Sequence, residues 1–453
     1  MHGRREYRGF WWPADDPSHQ IPGTLTVEKG KATLELMGDF GRQLISSSPR
    51  EKAYSFKAEP KSVLLGTSVD GKDITLEGAW EKNSSMHFPG SPTTSHRARA
   101  VMVGSHFAPD EGIGFDEIAI SASDLNSWSS VSGFKTSIEM EDIDDQGTKG
   151  FRAAEARYDG PEEVRIPLGR GEEIALAFTF HSEGLMRPRD RVEFRQEAAL
   201  HWRFPRPVDL PSVFKRVGQI RDFLSLAVGR AVSITSVAGF RGEDRSEDRG
   251  PRRPIEILWE IPHNPEPPTS PQDPRDMLFT LAAIPDASKV LKRWVARQDR
   301  LEPVFNLYFG TLYHPDLFLE VRFLSLAQAL ETYDFRRRRK PGQKSLAERT
   351  HDILAQCRTV TKRIVGPDAD RFVDHFKCTR NYYTHYNPKL EAKAASGVGL
   401  FLLTLQLQAI LELSFLRQLG FPCQAIEGVL ERARRFEEID HFRSQAAEAK
   451  GSR

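Results

Sequence analysis

The residue types best suited to chemistry in this chain cluster in Arg380-Asn381-Tyr382-Tyr383-Thr384-His385. Asn381 and His385 are four apart, so on a helix they share a face, and the long Arg380 side chain on the adjoining face can reach around. Pro388 disfavours helical geometry just before it, which puts His385 in the last turn of the helix. The negative end of the helix dipole favours imidazolium there. A proton-moving His, a guanidinium fork for a phosphate and an amide to orient them suit RNA cleavage without a metal ion. The His would move the 2′-hydroxyl proton, and the Arg would stabilise charge developing on the scissile phosphate. The same spacing also fits a surface Arg and a half-buried His capping the helix end.

The elements that must position these residues are helical. From about residue 276 onward apolar residues recur at helical spacing. The expected helices cover Asp286 to Arg297, Leu317 to Phe335, a stretch capped by Ser345, one opening with Pro367 at its first position and ending near Asn387, Val398 to Leu419, and Ala425 to Phe436. Such helices with short connections make an antiparallel bundle. Val398 to Leu419 is apolar enough to raise the question of a membrane. Gln406, Gln408, Glu412 and Arg417 within it favour a buried bundle helix, and no membrane partner is expected.

Residues 1 to about 205 read as β structure. Alternating segments flank Lys29-Gly30-Lys31, Asp70-Gly71 and Gly169-Arg170-Gly171, and Val192 to Phe204 keeps a period of two. Many short strands predict an antiparallel sandwich or barrel-like domain. A helix is expected near 210–232 and one more strand at Ile255 to Ile261. Eight prolines between Pro251 and Pro274 then mark a surface loop or stiff connection. The chain is thus α+β and multidomain: a β-rich domain over 1–275 with a helical insertion, a helical connector over 276–310, and a helical bundle over 311–453.

A length of 453 residues suits two or three domains, and 39% apolar with 28% charged residues supports a packed core. The net charge of +1 excludes a histone-like tail or an acidic solvating chain. It hides an asymmetry: residues 311–453 carry 23 Lys and Arg against 17 Asp and Glu, whereas residues 1–310 carry 41 against 46. The C-terminal third is the better partner for a polyanion. Three sparse cysteines argue against a disulfide framework and fit a reducing, cytoplasmic setting, and no secretory signal is evident. No Cys or His spacing suits a metal, and no phosphate-binding glycine motif is present, so no cofactor is expected.

The Arg380-to-His385 segment resembles the R-x4-6-H signature of HEPN (higher eukaryotes and prokaryotes nucleotide-binding) domains, in the R-N-x-x-x-H form of their ribonucleases. Phe318 to Tyr333 is similar to the first helix of the ApeA-like branch. Gly9-Phe10-Trp11-Trp12-Pro13 followed by Ile21-Pro22-Gly23-Thr24-Leu25 resembles the N-terminal domain of ApeA-type anti-phage proteins. The resemblance implies an abortive-infection endoribonuclease that acts on RNA as a homodimer or higher assembly. It implies Arg380 and His385 as the catalytic pair, Asn381 as the supporting polar residue and Glu331 as a residue that shapes the site.

Arg336-Arg337-Arg338-Arg339-Lys340 would then steer RNA, although such a run is also an ordinary solvated loop. His375 and Cys378 share the motif's helix, with nothing to mark a nucleophile's partners. The tryptophans Trp11, Trp12, Trp80, Trp128 and Trp202 read as core or edge packing. One motif supplies one His, whereas transesterification wants both a base and an acid, so a two-fold pair of bundles is expected, with Tyr382, Tyr383 and Tyr386 at or near the interface. The acidic β domain suits a phage-derived trigger better than RNA. The alternative is a binding protein whose bundle only dimerises or holds RNA.

Overall fold

The computed structural model describes residues 3–40, 42–47, 52–56, 63–85, 92–107, 112–142, 147–184, 190–242, 252–338, 343–433 and 436–451. The first strands are β1 (Arg4–Pro13), β2 (Ile21–Glu28), β3 (Lys31–Leu36), β4 (Arg42–Ser47), β5 (Lys52–Phe56), β6 (Val63–Ser68), β7 (Asp73–Glu77), β8 (Trp80–Ser85), β9 (Thr93–Ala98), β10 (Ala100–Val103) and β11 (Gly114–Ala122). A short helix α1 (Leu125–Ser129) precedes β12 (Phe134–Asp142), β13 (Lys149–Tyr158), β14 (Val164–Gly169), β15 (Glu172–Glu183) and β16 (Glu193–Asp209). Helix α2 (Leu210–Val228) leads to β17 (Ile234–Phe240) and β18 (Ile255–Trp259). Fourteen strands form one antiparallel sheet in the order β14-β15-β16-β11-β17-β18-β10-β7-β6-β1-β2-β3-β9-β8, with β4–β5 and β12–β13 as separate hairpins.

Local chemistry explains the hairpins. Lys29 and Gly30 both have positive φ and join β2 to β3 through a two-residue turn, whose twist matches that of the strands. At Asp70-Gly71 only Gly71 has positive φ, and the loop from Ser68 to Lys72 is longer than the two-residue turn its sequence predicts. Ser68 explains this, because its hydroxyl accepts from the Lys72 N–H and holds a wider loop closed. Gly30 serves a second purpose. A Cβ there would lie 1.9 Å from the Trp259 carbonyl oxygen, so the turn packs directly on the end of β18.

That contact shows how the long sheet curls. β10 and β18 bury both faces: Ala100, Met102, Ile255 and Ile257 enter a large core, whereas Val101, Val103 and Leu258 enter a smaller one. The smaller core is closed by Trp11, Leu25, Leu34, Leu64 and Leu76. The larger core continues through α2 into the helices. Asp209 caps α2 by accepting from the Ser212 N–H, and Gly229 ends it in the left-handed conformation. Between these caps Val213, Val217, Ile220, Phe223, Leu224 and Val228 form the buried stripe that the sequence predicts.

The helical region begins with α3 (Ala287–Tyr313), α4 (Leu319–Arg337), α5 (Leu346–Leu354), α6 (Arg358–Val365) and α7 (Ala369–His385). It continues with α8 (Pro388–Glu391), α9 (Gly397–Leu419), α10 (Cys423–Arg432) and α11 (Glu437–Gly451). Helix α3 runs well past Arg297 and carries Pro303 inside it, because Trp294, Val304, Phe305, Tyr308 and Phe309 extend its buried stripe into the bundle. Helix α9 is long and apolar enough to cross a membrane, yet 72% of its apolar window is buried by the other helices. Cys357 and Cys423 form a disulfide at a sequence separation of 66, which corrects the expectation of unpaired thiols. Their separation hides the pairing from sequence: the fold, not the spacing, brings the turn before α6 against the start of α10.

Candidate active site

Helix α7 carries the motif. Asp368 caps it by accepting from the Arg371 N–H, so the helix starts at Ala369, two residues later than a first position at Pro367. It ends at His385, and Tyr386 closes it in the left-handed conformation, with Pro388 opening α8. Phe372, Val373, Phe376, Thr379 and Tyr383 are its buried face, which fixes the polar residues on the other side. Phe376 and Tyr383 meet Phe323 of α4 edge to face, so α4 and α7 are locked side by side.

This packing brings three of the expected site residues together. The Arg380 guanidinium donates from Nη2 to Glu331 Oε2 at 3.1 Å and from Nη1 to Asn381 Oδ1 at 3.2 Å. Glu331 lies on α4, so the pair spans the two helices. The side chains of Arg380 and Glu331 are about one-third exposed, so the pair adds little stability for its geometry. Its effect is to aim the fork. Arg380 and Glu331 line an open cleft of about 610 Å³ between α4 and α7. The other walls are Leu324, Gln328, Thr332, Phe335, Arg349, Tyr383 and Thr384.

His385 stands apart from this group. It is exposed at the last position of α7 and does not line the cleft. Five residues advance a helix by about 140° beyond one full turn, so His385 and Arg380 of one helix diverge. Tyr383 is no substitute base: its hydroxyl donates to the Ala395 carbonyl at 3.1 Å, and burial, with Glu320 nearby, pushes its phenol up. Tyr382, Tyr383 and Tyr386 form one aromatic cluster, in which Tyr383 is buried and Tyr386 is 62% exposed. Tyr383 therefore packs within the bundle, while Tyr386 presents its ring outward.

The basic run divides. Arg337 and Arg338 both hold the buried Asp334, and Arg338 also pairs with Asp352 at 2.5 Å. Arg338 thereby fastens the end of α4 to α5. Arg336 is exposed, and Arg339 and Lys340 lie outside the described residues. His375 and Cys378 line a different cleft with Asp368, Asp370, Arg371, Asp374 and Lys393. Among the described residues no group of three or more His, Cys, Asp or Glu side chains could hold a metal ion. Of the tryptophans, Trp11, Trp128 and Trp202 are fully buried, Trp12 is nearly so and Trp80 is half exposed.

Sequence reasoning missed Gln328, Thr332 and Arg349 as cleft residues. A signal existed for the first two, because Leu324, Gln328, Glu331, Thr332 and Phe335 follow helical spacing along one face of α4. Arg349 enters from α5, placed by its Nε donating to the Lys344 carbonyl at 3.0 Å and by packing over the Phe335 ring, with its guanidinium carbon 5.6 Å from the centroid.

Two family descriptions match the chain. ApeA N-terminal domain 1 matches residues 6–294, and Apea-like HEPN matches residues 324–425. The chain belongs to the ApeA family and combines its N-terminal domain with a HEPN domain. No curated protein and no solved structure matches it.

Proposed function

We propose that this protein is an anti-phage effector whose HEPN domain is a metal-independent endoribonuclease and whose β domain senses a phage-derived trigger or restrains the nuclease. The observation that carries the reading is Arg380, held by Glu331 and Asn381 on the wall of an open cleft with His385 on the same helix. Membership of the HEPN and ApeA families supports it. The Arg fork would receive a phosphodiester and stabilise its added negative charge. A His385 imidazole would take the 2′-hydroxyl proton as the 2′-oxygen forms a bond to phosphorus. The bond to the 5′-oxygen breaks, and that oxygen takes a proton from a second imidazole. The products are a 2′,3′-cyclic phosphate and a 5′-hydroxyl.

The second imidazole is the reason for a dimer. His385 lies off the Arg380 cleft of its own chain, at an exposed helix end beside the outward Tyr386. A two-fold pair through this surface would supply His385 of the partner subunit to the shared groove.

The test is inducible expression of the wild type beside His385→Ala under phage challenge, with growth and total RNA followed. Loss of RNA integrity and of growth with the wild type alone supports the nuclease. Equal behaviour of the two chains during challenge contradicts it and leaves a binding module that only assembles or holds RNA. With purified protein, cleavage that EDTA abolishes and magnesium restores would contradict the metal-independent chemistry.

A further inference from the structure

Where α3 meets the C-terminal end of α9, three arginines converge. Arg293 and Arg297 of α3 and Arg417 of α9 line a cleft of about 550 Å³ with Gln356, Gln418 and Gly420. Arg293 and Arg297 are four apart on one helix face, where like charges repel. Among the described residues no carboxylate lies within ion-pair distance of any of the three, although most other arginines in the fold are paired. Two of them help close α9: Arg293 donates from Nη1 to the Leu419 carbonyl at 3.0 Å, and Arg417 donates from Nη1 to the Phe421 carbonyl at 2.7 Å. Each guanidinium has further N–H groups to offer. Arg297 makes no such bond, and its charge is felt by the buried Tyr333 hydroxyl beneath.

Two more observations mark this as a site built for a ligand. The Gln356 amide nitrogen is buried and has no hydrogen-bond partner. Gly420 has positive φ, and a Cβ there would fall 1.5 Å from Arg293 Nη1, so the absence of a side chain is what lets the guanidinium seat itself. A buried donor without an acceptor is costly, and an oxyanion offsets that cost together with the arginine repulsion.

We propose that this cleft binds a phosphate-bearing small molecule of nucleotide size, its phosphate held by Arg297, Arg293 and the Gln356 amide. The volume suits a mononucleotide. Arg293 belongs to the segment matched by the ApeA N-terminal domain, and Gln356 and Arg417 to the segment matched by the HEPN domain. The ligand therefore ties the two domains together at their seam. The proposal does not depend on RNA cleavage.

The experiment is isothermal titration of the full-length chain at fixed ionic strength with inorganic phosphate, AMP and a 2′-O-methyl single-stranded RNA. The variants are Arg297→Gln, whose guanidinium has no internal partner, and Gln356→Leu, which removes the unsatisfied amide and should leave thermal stability unchanged or raised. AMP should bind the wild type and bind each variant about tenfold more weakly or worse. Phosphate binding as well as AMP would make the phosphate group sufficient, and AMP alone would make the nucleotide the ligand; both support the site. Binding of neither, equal AMP affinity in Arg297→Gln, or binding of the RNA alone would overturn it.

Discussion

Helices α7 and α9 both carry conspicuous polar residues and use them in opposite ways. In the middle of α9 the polar side chains Gln406, Gln408 and Glu412 turn inward and bond within the bundle. Glu412 is fully buried, accepting from the Tyr308 hydroxyl at 2.6 Å and from the Gln408 amide at 3.0 Å. Gln406 donates to the Ile364 carbonyl at 2.8 Å. These bonds tie α9 to α3 and α6, and removing one member leaves a buried polar group uncompensated. In α7 the polar residues turn outward. Arg380 donates to Asn381 and to Glu331 while lining an open cleft, and His385 is exposed. Polar groups that cost stability when lost hold a fold, whereas polar groups kept in the open at little structural gain are placed for something outside it.

The comparison breaks most sharply on activity. Arg380→Ala should lower RNA cleavage by at least about 10²–10³-fold, the scale of losing one charge-stabilising donor. Its unfolding free energy should change by less than about 1 kcal/mol, since the pair is partly exposed. Arg380→Lys should fail as well, because an ammonium cannot present two parallel N–H bonds. Unfolding of both variants, seen by circular dichroism, would mean that α7 resembles α9 and that Arg380 serves packing.

The opposite pattern belongs to α9. Glu412→Ala should destabilise the chain by about 3 kcal/mol, measured by urea unfolding, and any loss of activity should follow the folded fraction. Tyr308→Phe, which removes one donor to that carboxylate, should cost about 1–2 kcal/mol.

A further effect is confined to a window of pH. Burial pushes the Asp222 carboxyl up to about 6, only partly opposed by Arg221 and by the Tyr313 hydroxyl, which donates to it at 2.5 Å. The unfolded group ionises near 3.8 while the folded one keeps its proton to about 6, so folding binds a proton in that window. Stability from this group is therefore present below about pH 4 and declines as pH rises to about 6, by roughly 2–3 kcal/mol. Asp222→Asn should flatten that part of the stability–pH curve. An unchanged slope would show that Asp222 is solvated.

Much of this arrangement was legible in the residues. Turn glycines at Gly30 and Gly171, the α2 stripe from Val213 to Val228 and the Ser345 cap each act through local chemistry, and a capping box with Glu348 bears out the last. The motif helix and its end at Pro388 were legible for the same reason. What local chemistry does not encode is which strands become neighbours. The sheet order, the joining of Cys357 to Cys423 and the entry of Arg349 into the cleft all depend on distant segments meeting. The Glu331–Arg380 pair is the intermediate case. Its residues were expected at the site through a family resemblance, but their contact depends on Phe323 packing α4 against α7.

The central claim is that two His385 imidazoles and the Arg380 forks of a two-fold pair cut RNA. It is tested most directly by measuring product ends and molecular mass for the wild type and for the His385→Ala chain across a dilution series. The account predicts that wild-type activity, yielding 2′,3′-cyclic phosphate ends, falls away as dimers dissociate. Cleavage at full rate by a species that light scattering shows to be monomeric throughout, or by the His385→Ala chain alone, would contradict it.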